Sequence, residues 1–141
     1  MQTILHVVDV SAAPGDVFGA IASADGLSRW WTTKVTETEG IITFSFEPGV
    51  FNPQMRVDER SAPNTIAWTC VGGAEQWAGA SIRFDIRKHD GRSRLVFRQG
   101  YGVELDEESF GIYNFNWGYY LESLRIYCET GTGKPFPARE P

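Results

Sequence analysis

Between residues 34 and 100 the apolar side chains fall at every second position. Ile42, Phe44 and Phe46 alternate with Thr43 and Ser45, and Ile66, Trp68 and Cys70 alternate with Ala67 and Thr69. Met55 and Val57 are separated by Arg56, Ile82, Phe84 and Ile86 by Arg83 and Asp85, and Leu95 and Phe97 by Val96. Successive side chains of a strand point to opposite faces, so this period predicts strands with one apolar and one polar face. Turn chemistry interrupts the pattern at Glu39-Gly40, Pro48-Gly49, Ala62-Pro63-Asn64, Gly72-Gly73 and Asp90-Gly91. The region therefore reads as an antiparallel meander of about six strands, whose apolar face needs a cover.

The flanks supply one more strand and the cover. Thr3 to Val10 is β-branched and apolar, which predicts a strand. Pro14 suits a first helical turn, and Val17, Phe18 and Ile21 follow at helical spacing. Asp25-Gly26 reads as the stop of that helix, with a second short helical turn expected over 26–31. Near the C-terminus, Asp106, Glu107 and Glu108 place acids where a helix dipole favours them. From Phe110 to Gly131 the side chains of Phe110, Tyr113, Trp117, Leu121, Leu124 and Cys128 form one helical stripe. The class is α+β: a curved antiparallel sheet of six to seven strands around a long C-terminal helix, with two short helices after the first strand.

Composition narrows the function. At 141 residues, 42% apolar and 13% aromatic, the chain has the size and material for one core. Residues 1–133 are expected to form that single domain, with 134–141 a short tail. The net charge of −5 is scattered, which argues against nucleic acid as a partner. Cys70 and Cys128 fall in apolar patterns and read as reduced core thiols of a cytoplasmic protein. The first residues lack a signal-peptide pattern, and no apolar run reaches the ~20 residues of a membrane span, so no membrane insertion is expected.

Chemistry-bearing motifs are sparse. His89 lies in a turn, Lys88-His89-Asp90-Gly91, and His6 stands alone on its strand. His6 has no acid or cysteine at metal-ligand spacing, and no nucleophile elbow, phosphate loop or paired-carboxylate motif occurs. No metal, cofactor or catalytic residue is assigned, and catalysis is not the expected role. Arg56, Arg60, Arg83, Arg87, Arg94 and Arg98 share the polar sheet face with Asp58 and Asp85. Cross-strand ion pairing is the simple account of them, and a docking face for an acidic partner is the sharper one.

Three stretches carry a family likeness: Ala13-Pro14-Gly15-Asp16-Val17-Phe18-Gly19-Ala20-Ile21, Trp30-Trp31, and Trp117-Gly118-Tyr119-Tyr120-Leu121-Glu122-Ser123-Leu124. With the tail Glu129-Thr130-Gly131-Thr132-Gly133-Lys134-Pro135, they resemble the START-like superfamily, also called SRPBCC, of helix-grip or birch-pollen-allergen-like fold. Within it the likeness is to the branch of activator of heat-shock-protein-90 ATPase homologues. The resemblance implies an apolar cavity between sheet and long helix, opening near the short helices. It is specific for fold and weak for function, because such folds carry lipids, bind hormones, catalyse cyclisations and serve as co-chaperone domains.

A cavity of that kind is expected to be walled by Trp30, Phe46, Phe51, Met55, Trp68, Trp77, Phe84, Phe97, Tyr113, Asn114, Trp117 and Leu121. Asn114 is included as a polar group at the edge of the inward stripe, and Glu75-Gln76-Trp77 as a loop guarding the mouth. Of the adjacent tryptophans, Trp30 is expected to plug the core against the last helix and Trp31 to lie toward the entrance. The leading function is non-enzymatic binding of a small apolar or amphipathic molecule. A co-chaperone-like module that stimulates a partner ATPase is the alternative, and a pocket lyase, cyclase or hydrolase a second. Ile112, Phe115, Tyr119 and Ile126 fall on the far side of the last helix, so either the short helices cover that face or a second copy does, and a homodimer is the expectation carried forward.

Overall fold

The computed structural model describes residues 2–137. Strand β1 (Thr3–Val10) is followed by helices α1 (Pro14–Ala22) and α2 (Ala24–Ser28). Six strands come next: β2 (Lys34–Thr38), β3 (Ile41–Ser45), β4 (Gln54–Ser61), β5 (Thr65–Gly72), β6 (Ser81–His89) and β7 (Arg92–Gly100). Helix α3 (Glu107–Thr130) closes the fold. All seven strands form one antiparallel sheet in the order β1-β7-β6-β5-β4-β3-β2. The α+β helix-grip architecture read from the sequence is the one observed.

Local chemistry explains the corners. The hairpins β2–β3 and β6–β7 turn on Glu39-Gly40 and Asp90-Gly91, both residues of each pair having positive φ, as the favoured two-residue turn requires. Helix α1 begins at Pro14 with no side-chain cap. Asp25-Gly26 does not end it, contrary to the pattern: α1 stops at Ala22 and the pair lies inside α2. The reason is Ser23, which is extended and whose Oγ accepts the Gly26 N–H at 3.0 Å, starting a new helix at once. Helix α3 is capped by Asp106, whose carboxylate accepts the Ser109 N–H at 3.0 Å, and ends in left-handed Gly131.

The inward faces meet in one core. Phe44 on β3, Trp68 on β5, Phe84 on β6 and Phe97 on β7, all fully buried, run across the sheet with ring centroids 5.2–5.6 Å apart from one to the next. Trp30 plugs the end of this core: its Nε1 donates to the Ala20 carbonyl at 2.8 Å, and its own carbonyl accepts the Ser123 hydroxyl of α3 at 2.8 Å. Ser123 also accepts the Lys134 N–H at 2.7 Å, so the chain after α3 turns back onto the fold. Phe136 then pairs with Thr32 in an isolated parallel bridge. The expected tail is thus in contact with the fold as far as Phe136, and its last four residues, 138–141, lie outside the described residues.

On the opposite sheet face the arginines are held by carboxylates. Arg94 pairs with Asp9 at 2.8 Å, Arg60 with Glu37 at 2.9 Å, Arg83 with Asp85 at 2.9 Å and Arg56 with Asp58 at 2.8 Å. Hydrogen bonding from Arg94 holds the Asp9 carboxyl below its ordinary pKa. Arg94–Asp9 and Arg60–Glu37 join different strands, as the alternation of charges suggested, whereas Arg83–Asp85 and Arg56–Asp58 pair along a single strand.

Both cysteines are free thiols, Cys70 buried and Cys128 partly buried. Burial raises both pKa values, Cys128 to about 12. The thiolate is the reactive form, so labelling of native protein by a disulfide reagent at mildly alkaline pH should be on the order of a hundredfold slower than in urea. Rapid native labelling of both thiols would contradict this packing.

Candidate functional site

The two ends of the sheet differ. At one end the tight two-residue hairpins close the surface. At the other, the β3–β4 and β5–β6 loops, the segment after α2, the start of α3 and the returning tail converge on an open cleft of about 870 Å³. The β3–β4 loop brings Phe46, Glu47, Val50 and Phe51 to its wall, and the 3-10 turn Glu75–Trp77 brings all three of its residues. Helix α3 contributes Tyr113, Asn116, Trp117 and Tyr120, while Trp31 and Phe136 close the remaining side.

Specific bonds hold these loops in place. The Asn52 side chain accepts the Phe46 N–H at 2.9 Å and donates to the Glu47 carbonyl at 2.8 Å, folding the β3–β4 loop on itself. Its backbone N–H donates to the Gly73 carbonyl at 2.8 Å, tying the two loops together. Gly73 has φ +80°, and a Cβ there would stand 1.9 Å from the Asn52 carbonyl oxygen, so no other residue fits the approach. The 3-10 turn is fastened to α3 by Gln76, whose Oε1 accepts the Tyr113 hydroxyl at 2.7 Å and whose Nε2 donates to Ser109 at 3.2 Å. Burial raises the Tyr113 pKa, which keeps the phenol protonated as that donor.

The floor is a network of rings. Trp31, only 3% exposed, stands 4.8 Å from Trp117, 4.4 Å from Phe44 and 5.5 Å from Phe46. Trp77 stacks on Trp117 at 6.1 Å and meets Phe51 edge-on at 5.0 Å. Beneath them lies a polar knot. Gln99 is fully buried, and its Oε1 accepts both the Trp117 indole N–H at 2.7 Å and the Tyr101 hydroxyl at 2.8 Å. Trp117 is therefore fixed in rotation as well as in depth, and with it the first half of α3.

The expected wall residues divide into two layers. Phe46, Phe51, Trp77, Tyr113 and Trp117 line the cleft. Trp30, Met55, Trp68, Phe84, Phe97 and Leu121 are buried but lie in the packed core rather than on the cleft lining. Bulky rings fill the space between sheet and helix there, so the open volume survives only at one end. Asn114 is exposed, not inward: its Oδ1 faces His6 Nε2 on β1 at 3.0 Å. It sits about 60° around the helix from Trp117, toward the sheet edge. Asn116, on the other flank, is the asparagine at the cleft.

Sequence reasoning missed Gln99, Asn116, Tyr120 and Phe136. Gln99 was within reach, since the alternation that points Phe97 inward points Gln99 inward as well. Phe136 follows two glycines and a proline and belongs to no period, so nothing local announces it. Among the described residues no group of three or more His, Cys, Asp or Glu side chains is placed to hold a metal. No helix among them is long and apolar enough to cross a membrane.

With this geometry in place, comparisons with known proteins can be read against it. The family model described as Activator of Hsp90 ATPase homolog 1-like protein matches residues 11–129. The solution structure of an Aha1 dimer from Colwellia psychrerythraea is 26% identical over 94% of this chain and 100% of its own, with a TM-score of 0.83. Protein SSP2350 of Staphylococcus saprophyticus (18% identity, 94% and 95% coverage, TM-score 0.74) and XoxI of Bacillus cereus (12%, 91% and 96%, 0.78) share the fold. No curated protein matches the chain.

Replacing Gln99 with methionine would leave the Trp117 and Tyr101 donors buried without an acceptor. The expected cost is about 2–4 kcal/mol in urea unfolding, against about 1 kcal/mol for Tyr101→Phe, which removes one donor and leaves the knot otherwise intact. Equal effects from the two substitutions would mean that Gln99 does not anchor Trp117.

Proposed function

The chain belongs to the Activator of Hsp90 ATPase homolog 1-like family, and from that membership and the open cleft we propose that it holds a small apolar or amphipathic molecule between sheet and helix. The carrying observation is the 870 Å³ cleft with an aromatic floor. A volume of that size is in the range of small-molecule sites, and a mostly apolar wall with a few fixed polar groups is their usual make-up. The mechanism is burial. Covering ~300 Å² of apolar ligand surface contributes up to about 7 kcal/mol before the entropic cost of association. Gln76, held by Tyr113 and Ser109, and Asn116 supply polar groups at the wall. No bond-making step is assigned to any residue.

Native mass spectrometry of the purified protein, followed by denaturing extraction, tests the reading. The expected result is a stoichiometric small molecule that leaves on denaturation. Phe51→Ala removes a wall ring at the mouth and should weaken its retention about tenfold. A protein without bound mass that also fails to take up an apolar dye would move the weight to a module acting on a protein partner.

A second reading concerns assembly. The Colwellia psychrerythraea relative is described as a dimer. On the side of α3 away from the sheet, Ile112 is 59% and Phe115 66% exposed. We propose that this face joins two copies of the chain, since exposed apolar area of this kind is commonly covered by a partner. Analytical ultracentrifugation should give a dimer for the wild type and a monomer for Ile112→Glu. A monomeric wild type, or an unaffected variant, would overturn it.

A further inference from the structure

The cleft has a charge sign as well as an apolar floor. Its charged lining residues are Glu47 and Glu75, and no Lys, Arg or His is among the lining residues described. The two carboxylates come from different loops, β3–β4 and β5–β6, which the Asn52–Gly73 bond holds side by side. Both are exposed at the rim, and among the described residues neither is in an ion pair. Elsewhere on the molecule the carboxylates of Asp9, Asp58 and Asp85 are matched by arginines. At the mouth, two acids from separate loops stand without a matching base among the described residues.

Between them lie ring systems. Phe51, Trp77 and Tyr113 contact one another at 5.0–6.2 Å, and Trp31 and Trp117 continue the surface inward. Aromatic faces carry negative potential and attract cations, most strongly where water is partly excluded. Carboxylates at the lip of a low-dielectric cleft add to that field and steer positive ligands toward it. A fatty acid or other anionic amphiphile would meet repulsion from both, with no basic group among the described lining residues to receive it.

Resting on the binding reading above, we propose that the ligand class of this cleft is an organic cation with an apolar body: an amine or quaternary ammonium whose head sits at the Glu47–Glu75 rim while its hydrocarbon lies on the Trp31, Trp77 and Trp117 floor. The head keeps part of its hydration at the open lip, and the body supplies most of the buried area.

Isothermal titration at low ionic strength with three decyl probes tests this: decyltrimethylammonium, decanol and decanoate, each below its micelle concentration. The expected order is ammonium, then decanol, then decanoate, with the cation about tenfold tighter than the alcohol. In the Glu47→Gln, Glu75→Gln double variant that ratio should fall toward the part owed to the rings alone. Decanol or decanoate binding as tightly as the cation, with binding weakened by Phe51→Ala, would overturn the cation assignment and leave the binding reading standing. An unchanged ratio in the double variant would remove the carboxylates from the assignment and so overturn it. Failure of all three probes to bind would overturn both.

Discussion

The contact on which the site depends is the one between Trp117 and Gln99. A long helix lying on a sheet tends to settle until side chains fill the gap, because interiors pack to crystal-like density. Here the Trp117 ring lies against Phe97, with centroids 4.2 Å apart, and its indole N–H is fixed by Gln99 at 2.7 Å. The helix is thereby held at one height above β7. Toward its C-terminal half, Leu121 and Leu124 sink into the core and no space remains. Toward its N-terminal half, Tyr113 is drawn to the 3-10 turn by Gln76 rather than to the sheet, and the gap stays open. One amide thus separates a closed end from an open one.

The adjacent tryptophans express the same division over one peptide bond. Trp30 turns into the core and gives its N–H to the end of α1, while Trp31 turns to the cleft floor. Their rings are nearly parallel, 6.0 Å apart with a 12° interplanar angle, so the core and the cleft share one aromatic wall. The tail completes that wall from the outside: Phe136 N–H donates to the Trp31 carbonyl at 2.8 Å and its ring meets Phe46 at 5.4 Å.

The fold was legible because its signal is periodic. Two-residue alternation set the strands, turn residues set the hairpins, and a helical stripe set α3, all of which depend on local sequence. The site was legible only in part, because a cleft is made where periodicity stops. The alternation places Trp68 and Phe84 inward as surely as Phe46, but cannot say which of them have another ring above and which have space. That depends on how far the helix stands off, which Gln99 decides from a different strand. Asn114 shows the finer limit: two helix positions separate it from Asn116, and they look to opposite flanks of the same helix. Of the rim carboxylates, Glu75 was legible as part of a loop guarding the mouth, while Glu47 was not, since the two loops are tied together only by the bond between Asn52 and Gly73.

A crystal structure of the protein purified under native conditions is the direct test of the open cleft. The account predicts Trp31, Trp77 and Trp117 in the arrangement described, with density for a bound molecule on the floor between Phe51 and Phe136. Rings folded inward so that Phe51 and Phe136 meet over a filled core would contradict it.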